Sequence, residues 1–157
     1  MNRIAQFEKV SKEQFEKDGG EGYENVKLPV RATSGSAGYD FYAPRDIVLA
    51  PGESTKVITG IRARIDDGWV LMIAPRSGLG YKYRIQLDNT VGIIDSDYYN
   101  SDNEGHIQIK ITNDRKEGKT LELAAGDRFA QGIFLPYGIT YDDDARGVRN
   151  GGFGSTK

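Results

Sequence analysis

The chain is expected to fold as one all-β domain, a sandwich or jelly roll, with a single short helix near its start. Three observations carry that expectation. About nine short runs rich in β-branched and aromatic residues follow one another, with no helical period between them. Turn-forming clusters such as "SGSAG", "PGE", "DDG", "NDRKEGK" and "AAGD" punctuate them. Several of the runs also alternate, which is the mark of strands buried on one face.

The elements follow in order. In "EKVSKEQFEKDGG", Ser11 can cap a helix and Gln14 sits at the reciprocal position of a capping box. Val10 and Phe15 occupy the staple positions, and Gly19 and Gly20 end the segment, so a helix is expected over about 11–18. The strands expected next are "NVKLPVRAT", "GYDFYA", "DIVLA", "STKVITGIRARI", "WVLMIAP", "IQLDNTVGII", "HIQIKIT", "TLEL" and "RFAQGIFLP". Ile107, Ile109 and Ile111 share one face of their strand, which puts His106, Gln108 and Lys110 on the other. His106 is therefore read as solvent-facing. No repeat of solenoid or propeller length is present.

Composition narrows the function classes. The 157 residues make one domain, which at this size buries roughly 70% of the surface its unfolded chain exposes. Cysteine is absent, which excludes disulfides and thiolate metal sites. Lys plus Arg is 21 against 23 Asp plus Glu, a net charge of −2. That balance argues against non-specific binding to nucleic acid or to an anionic membrane. No apolar run approaches a membrane span, and a cytoplasmic address is expected.

Several polar clusters could carry chemistry. "IAPRSGLG" puts Arg76, Ser77 and Gly78 after an apolar strand, where backbone amides and a guanidinium can hold an anion; taken alone it also reads as a plain turn. "NTVGIIDSDYYN" ends a strand on Asp95 and Asp97, with Tyr98 beside them. A carboxylate there can act as general base, although paired aspartates past a strand are commonly turn formers. Asp97 and Asp102 do not have calcium-loop spacing. "AGYDFYA" sets Asp40 among aromatics, where it needs an arginine or a metal-bound water as partner. "GDRFAQGIF" places Arg128 and Gln131 inside an apolar run, and buried polar groups of that kind must be paired. "GGFGSTK" closes the chain with glycine amides, Phe153, Ser155 and Thr156, a composition that otherwise suits a disordered tail.

Together and in this order, "AGYDFYA", "PRSGLG", "NTVGIIDSDY", "GDRFAQGIF" and "GGFGST" resemble the motifs of the trimeric dUTP diphosphatases (dUTPases), from about Pro29 to Thr156. The resemblance implies a jelly-roll-like β-sandwich subunit and a homotrimer whose sites lie between subunits. It implies hydrolysis of dUTP to dUMP and pyrophosphate, with water attacking the α-phosphorus and Mg²⁺ held mainly by the triphosphate. By the same resemblance Asp95 is the catalytic base, and Asn89 lies close to the attacked phosphate. Arg76, Ser77 and Gly78 cradle phosphate, and Gln131 contacts it. Asp40 meets the magnesium through water. The backbone of the hairpin after Asp95 reads the uracil, Gly92 contacts the substrate, and Tyr98 underlies the deoxyribose. Residues 1–146 form the β domain, and residues 147–157 form an arm that closes over a neighbouring subunit's site. In that arm Phe153 stacks on uracil, while Gly154, Ser155 and Thr156 approach the phosphates.

Two features depart from the family pattern. Where the arm usually carries an arginine this chain has Val148, so the γ-phosphate clamp falls to Arg149 or Arg146, and Arg149 is favoured. The short turn after the tyrosine is expanded to "DYYNSDNEG", an insertion over 99–104 with Gly105 at the motif glycine. The insertion either lengthens a hairpin tip or serves a regulatory protein partner. The related dCTP deaminases need a general-base glutamate in the following strand, and "HIQIKITN" has none. A binding module without catalysis is the remaining alternative.

Overall fold

The computed structural model describes residues 1–115 and 118–151. Within them the strands are β1 (Ala5–Lys9), β2 (Val30–Arg31), β3 (Tyr39–Tyr42), β4 (Ile47–Leu49), β5 (Ser54–Ile65), β6 (Trp69–Pro75), β7 (Ile85–Leu87), β8 (Gly92–Ile94), β9 (Ile107–Asn113), β10 (Leu121–Leu123) and β11 (Arg128–Pro136). Two helices, α1 (Lys12–Lys17) and α2 (Ser77–Tyr83), join them. One sheet has the order β1-β5-β9-β7 and the other β2-β3-β11-β6-β8, while β4 and β10 form a separate ribbon. All pairings are antiparallel, as the all-β expectation requires.

Alternation builds the core. Ile107, Ile109 and Ile111 of β9 are buried, as are Leu71 and Ile73 of β6, and they join Phe41, Ile61 and Phe129 in one apolar cluster. Each such side chain contributes about 1.5–3 kcal/mol when fully buried. Helix α1 forms where expected: the Ser11 hydroxyl accepts from the Gln14 amide at 3.1 Å, and Val10 and Phe15 are buried.

Several elements differ from expectation. Strand β1 has no alternating pattern, and Phe7 is its one large apolar side chain. It is held by backbone pairing to β5 and by the Phe7 ring, which lies 5.3 Å from Tyr39 and 5.7 Å from Phe41. "RSGLGYKY" is a helix rather than a turn, because Leu79 and Tyr83, one helical turn apart, pack against the core and outweigh the poor propensity of its glycines. "IQLDNTVGII" is two strands in different sheets, broken at Thr90 with φ 69°. The segment after Asp95 is likewise no hairpin. β8 pairs with β6 and β9 with β5 and β7, so residues 95–106 cross between sheets through a 3-10 turn at Ser96–Asn100.

His106 is the sharpest correction: it is fully buried, not solvent-facing. It precedes the first paired residue of β9, where the period of two has not begun, and it faces a bulge at Thr59–Gly60 in β5. Its Nε2 accepts from the Gly60 amide at 2.9 Å, and its Nδ1 donates to Asp18 Oδ2 at 2.6 Å. Gly60 has φ 75°, which glycine adopts without strain.

Candidate active site

One cluster forms where β3, β11 and β6 lie side by side. Gln131 is in register with Asp40 on one side and Ala74 on the other. Asp40 is buried, and a buried carboxylate must be paired. Arg76 Nε reaches one of its oxygens at 3.0 Å and Arg128 Nη1 the other at 3.1 Å. Gln131 Nε2 donates to the Pro75 carbonyl at 3.4 Å, and Ser77 opens α2 beside them. A side chain at Gly78 or Gly80 would meet nothing within 4 Å. The chain's own packing thus does not demand glycine there, and a ligand can approach the backbone closely.

A second cluster lies at the end of β8. The Asp95 and Asp97 carboxylates are half-exposed and share one guanidinium. Arg149 Nη2 is 2.5 Å from Asp95 Oδ2, and Arg149 Nε is 2.8 Å from Asp97 Oδ1. Arg146 instead pairs with Asp144 in solvent. Tyr98 is buried against Asp95, and burial pushes its phenol above the ordinary value. The protonated hydroxyl donates to the His106 carbonyl at 2.7 Å and accepts from Asn103 Nδ2 at 3.0 Å. A pocket of about 20 Å³ between Asp95, Tyr98 and Arg149 has the size of one water.

The two clusters do not meet within the chain. Ile94 pairs with Leu71 and Gly92 with Ile73, so Asp95 emerges next to Val70. Arg76 follows the opposite end of β6, roughly 20 Å away at ~3.3 Å per strand residue. Gly92 and Asn89 lie between, on a groove of about 480 Å³ whose apolar wall includes Leu87 and Ile109. Phe153, Gly154, Ser155 and Thr156 fall outside the described residues.

No group of three or more His, Asp or Glu side chains that could hold a metal occurs among the described residues. Asp40, engaged by an arginine on each oxygen, keeps lone pairs for a water but no bare oxygen for direct ligation. It fits contact with a metal through water and does not fit a protein cage. Among the described residues, no helix is long and apolar enough to cross a membrane.

Arg128 as partner of Asp40 was legible as an arginine in an apolar run, although its target was not. The link from Asp18 to His106 had no signal, since it joins segments 88 residues apart.

Comparison with known proteins points to one family. The dUTPase family model matches residues 24–157. The deoxyuridine 5'-triphosphate nucleotidohydrolase of Lactococcus lactis is 40% identical over 134 residues, covering 83% of this chain and 88% of that one. That of Shigella sonnei is 44% identical over 135 residues, covering 81% and 85%. The crystal structure of a Streptococcus mutans dUTPase superposes with a TM-score of 0.67 at 36% identity, covering 85% of this chain and 97% of that one. A Staphylococcus bacteriophage 80alpha dUTPase with bound dUPNHPP shares the fold, with a TM-score of 0.68 at 22% identity and 99% of each chain covered. With the family model matched over most of its length and these relatives beside it, the chain belongs to the dUTPase family and is an enzyme of that family.

Proposed function

We propose that the enzyme hydrolyses dUTP to dUMP and pyrophosphate by attack of water on the α-phosphorus, limiting uracil entry into DNA and supplying dUMP for thymidylate synthesis. The observation that carries this reading is the half-exposed Asp95 carboxylate at the end of β8, beside a water-sized pocket and the buried Tyr98. The Asp95 carboxylate, beside a space for one water, can take the proton of the attacking water. Arg76, Ser77, Gly78 and Gln131 hold phosphate oxygens, and Asn89 lies close to the α-phosphate. Asp40 would meet, through water, a Mg²⁺ carried by the triphosphate, and that ion would supply charge neutralisation for in-line attack. Tyr98 closes the space a ribose 2′-OH would need, and backbone groups of the segment after Asp95 read the uracil edge, where a wrong base would leave peptide groups unpaired.

Arg149 is the γ-phosphate clamp in this reading. Its place on Asp95 and Asp97 supports it over Arg146, because an arriving triphosphate can draw it from one anion to another. Phe153, Gly154, Ser155 and Thr156 complete the arm over uracil and phosphates. The separation of Asp95 from Asp40 and Arg76 supports sites completed between copies, as in a homotrimer whose arm reaches a neighbour's site. Exposed apolar side chains at Ile93, Leu135, Tyr137 and Ile139 suit such contacts. The near-even charge balance supports a cytoplasmic enzyme without nucleic-acid or membrane partners.

Pyrophosphate release from dUTP, dCTP, dTTP and UTP tests the activity: dUTP alone should be turned over efficiently. Formation of uracil nucleotide from dCTP would indicate a deaminase, and no turnover a binding module. Asp95→Asn should leave the fold intact and lower kcat by roughly 10²–10⁴-fold, the range for a general base. Near-normal turnover in that variant would remove Asp95 from the role.

A further inference from the structure

The inserted turn and the N-terminal helix form a closed hydrogen-bond circuit. The Glu104 carboxylate accepts from the Ser11 amide at 2.9 Å and from the Ser11 hydroxyl at 2.6 Å. The Ser11 hydroxyl in turn accepts from the Gln14 amide, whose side chain donates to Asp18 Oδ2 at 3.0 Å. The same Asp18 oxygen accepts from His106 Nδ1, and His106 rejoins Glu104 through Gly105. Both ends of α1 are thereby tied to one short stretch of the crossover. Gly105 packs so tightly that a Cβ would lie 2.7 Å from the Tyr98 carbonyl, and its φ of 69° suits glycine.

Tyr98 hangs from this circuit. Its hydroxyl donates to the carbonyl of His106 and accepts from Asn103, both within the crossover. Its ring lines the pocket beside Asp95. Residues 1–23, including all of α1, lie outside the span that matches the family model.

We propose that α1 and the inserted turn act as one clasp that sets the position of Tyr98, so that selection of deoxyribose over ribose depends on a helix that does not touch the nucleotide. Ser11, Glu104 and His106 are positioning residues: they act on the sugar through Tyr98. The insertion is then an internal brace rather than a free tip. The inference rests on the reading of Tyr98 as the wall beneath the deoxyribose, and the test separates the two.

The measurement is the ratio of kcat/KM for dUTP to that for UTP. In Glu104→Ala and in Ser11→Ala, the ratio should fall about threefold to tenfold, the scale expected when a positioning contact is loosened. Ser11→Thr, which keeps the hydroxyl, should restore it. Tyr98→Ala should lower the ratio further, and adding Glu104→Ala to it should change the ratio no more, because both act through one side chain. An unchanged ratio in Tyr98→Ala overturns the sugar wall and the clasp with it. A lowered ratio in Tyr98→Ala with wild-type ratios in the Glu104 and Ser11 variants overturns the clasp alone. A further fall in the double variant also overturns it, since Glu104 would then act by another route.

Discussion

Arg149 holds two carboxylates of the same crossover, and one of them is the proposed base. The guanidinium occupies an oxygen of that base, so clearing the base for an attacking water requires Arg149 to move to another anion. A γ-phosphate offers that anion at a position a diphosphate does not reach. Arg149→Ala should therefore weaken binding of a non-hydrolysable dUTP analogue by about ten- to a hundredfold, the scale of hydrogen bonds to charged groups, while dUDP binding stays nearly constant. Calorimetric titration with both ligands measures this, and an equal loss for both would remove Arg149 from the γ-phosphate. Arg149→Lys should not rescue, because an ammonium lacks the planar fork. The motif residues Asp40, Arg76, Gln131 and Asp95 were legible because each motif is local in the chain. Their partners were not. That Arg128 turns to Asp40, or that Arg149 crosses to Asp95, depends on register and on the path of residues 137–150, which no local pattern specifies.

At the scale of elements, strands with alternating apolar residues were legible, and α1 was legible from its caps. β1 and α2 were not, because their stability comes from pairing and packing rather than from their own pattern. The crossover at 95–106 combines both problems, and His106 sits at its hinge. Its neutral form is built in, because Nε2 accepts from the Gly60 amide while Nδ1 faces Asp18. Burial lowers its pKa below the ordinary value, and Asp18 and Glu104 oppose that shift while Lys56 adds to it. Hydrogen bonds from Ser11 and the nearby Arg62 keep Glu104 ionised against its own burial. The unfolded chain takes up a proton near pH ~6.5, before the folded one does. The stability due to His106 is thus complete above that pH and is lost as pH falls below it. For one such group the slope is at most about 1.4 kcal/mol per pH unit. Denaturant unfolding just above and below pH ~6.5 should show wild type losing stability on acidification, and His106→Gln losing less across the same interval. Equal losses would mean that His106 is not the titrating group.

At the scale of the whole molecule, strand β6 separates the two halves of the candidate site. Asp40, Arg76 and Gln131 gather at one end of it, and Asp95 leaves from beside the other. A span of roughly 20 Å is too long for one α-phosphate to touch both, so in the function proposed above a working site takes its base from one copy and its phosphate cradle from another. An Asp95→Asn chain and an Arg76→Ala chain should each be nearly inactive alone. If the two are refolded together in equal amounts, a site is competent when its base comes from the Arg76→Ala chain and its cradle from the Asp95→Asn chain. In a closed three-fold ring with random assortment, roughly a quarter of wild-type activity should return. Mixed assemblies that form and stay inactive would place both halves on one copy and overturn the shared site. A chain lacking residues 151–157, used in place of Arg76→Ala, reads the arm in the same way. The crossing arm proposed above again gives roughly a quarter, whereas an arm that serves its own Asp95, where Arg149 lies within the single chain, gives none. Recovery in the first mixture and none in the second would leave base and arm on one copy and the cradle on its neighbour.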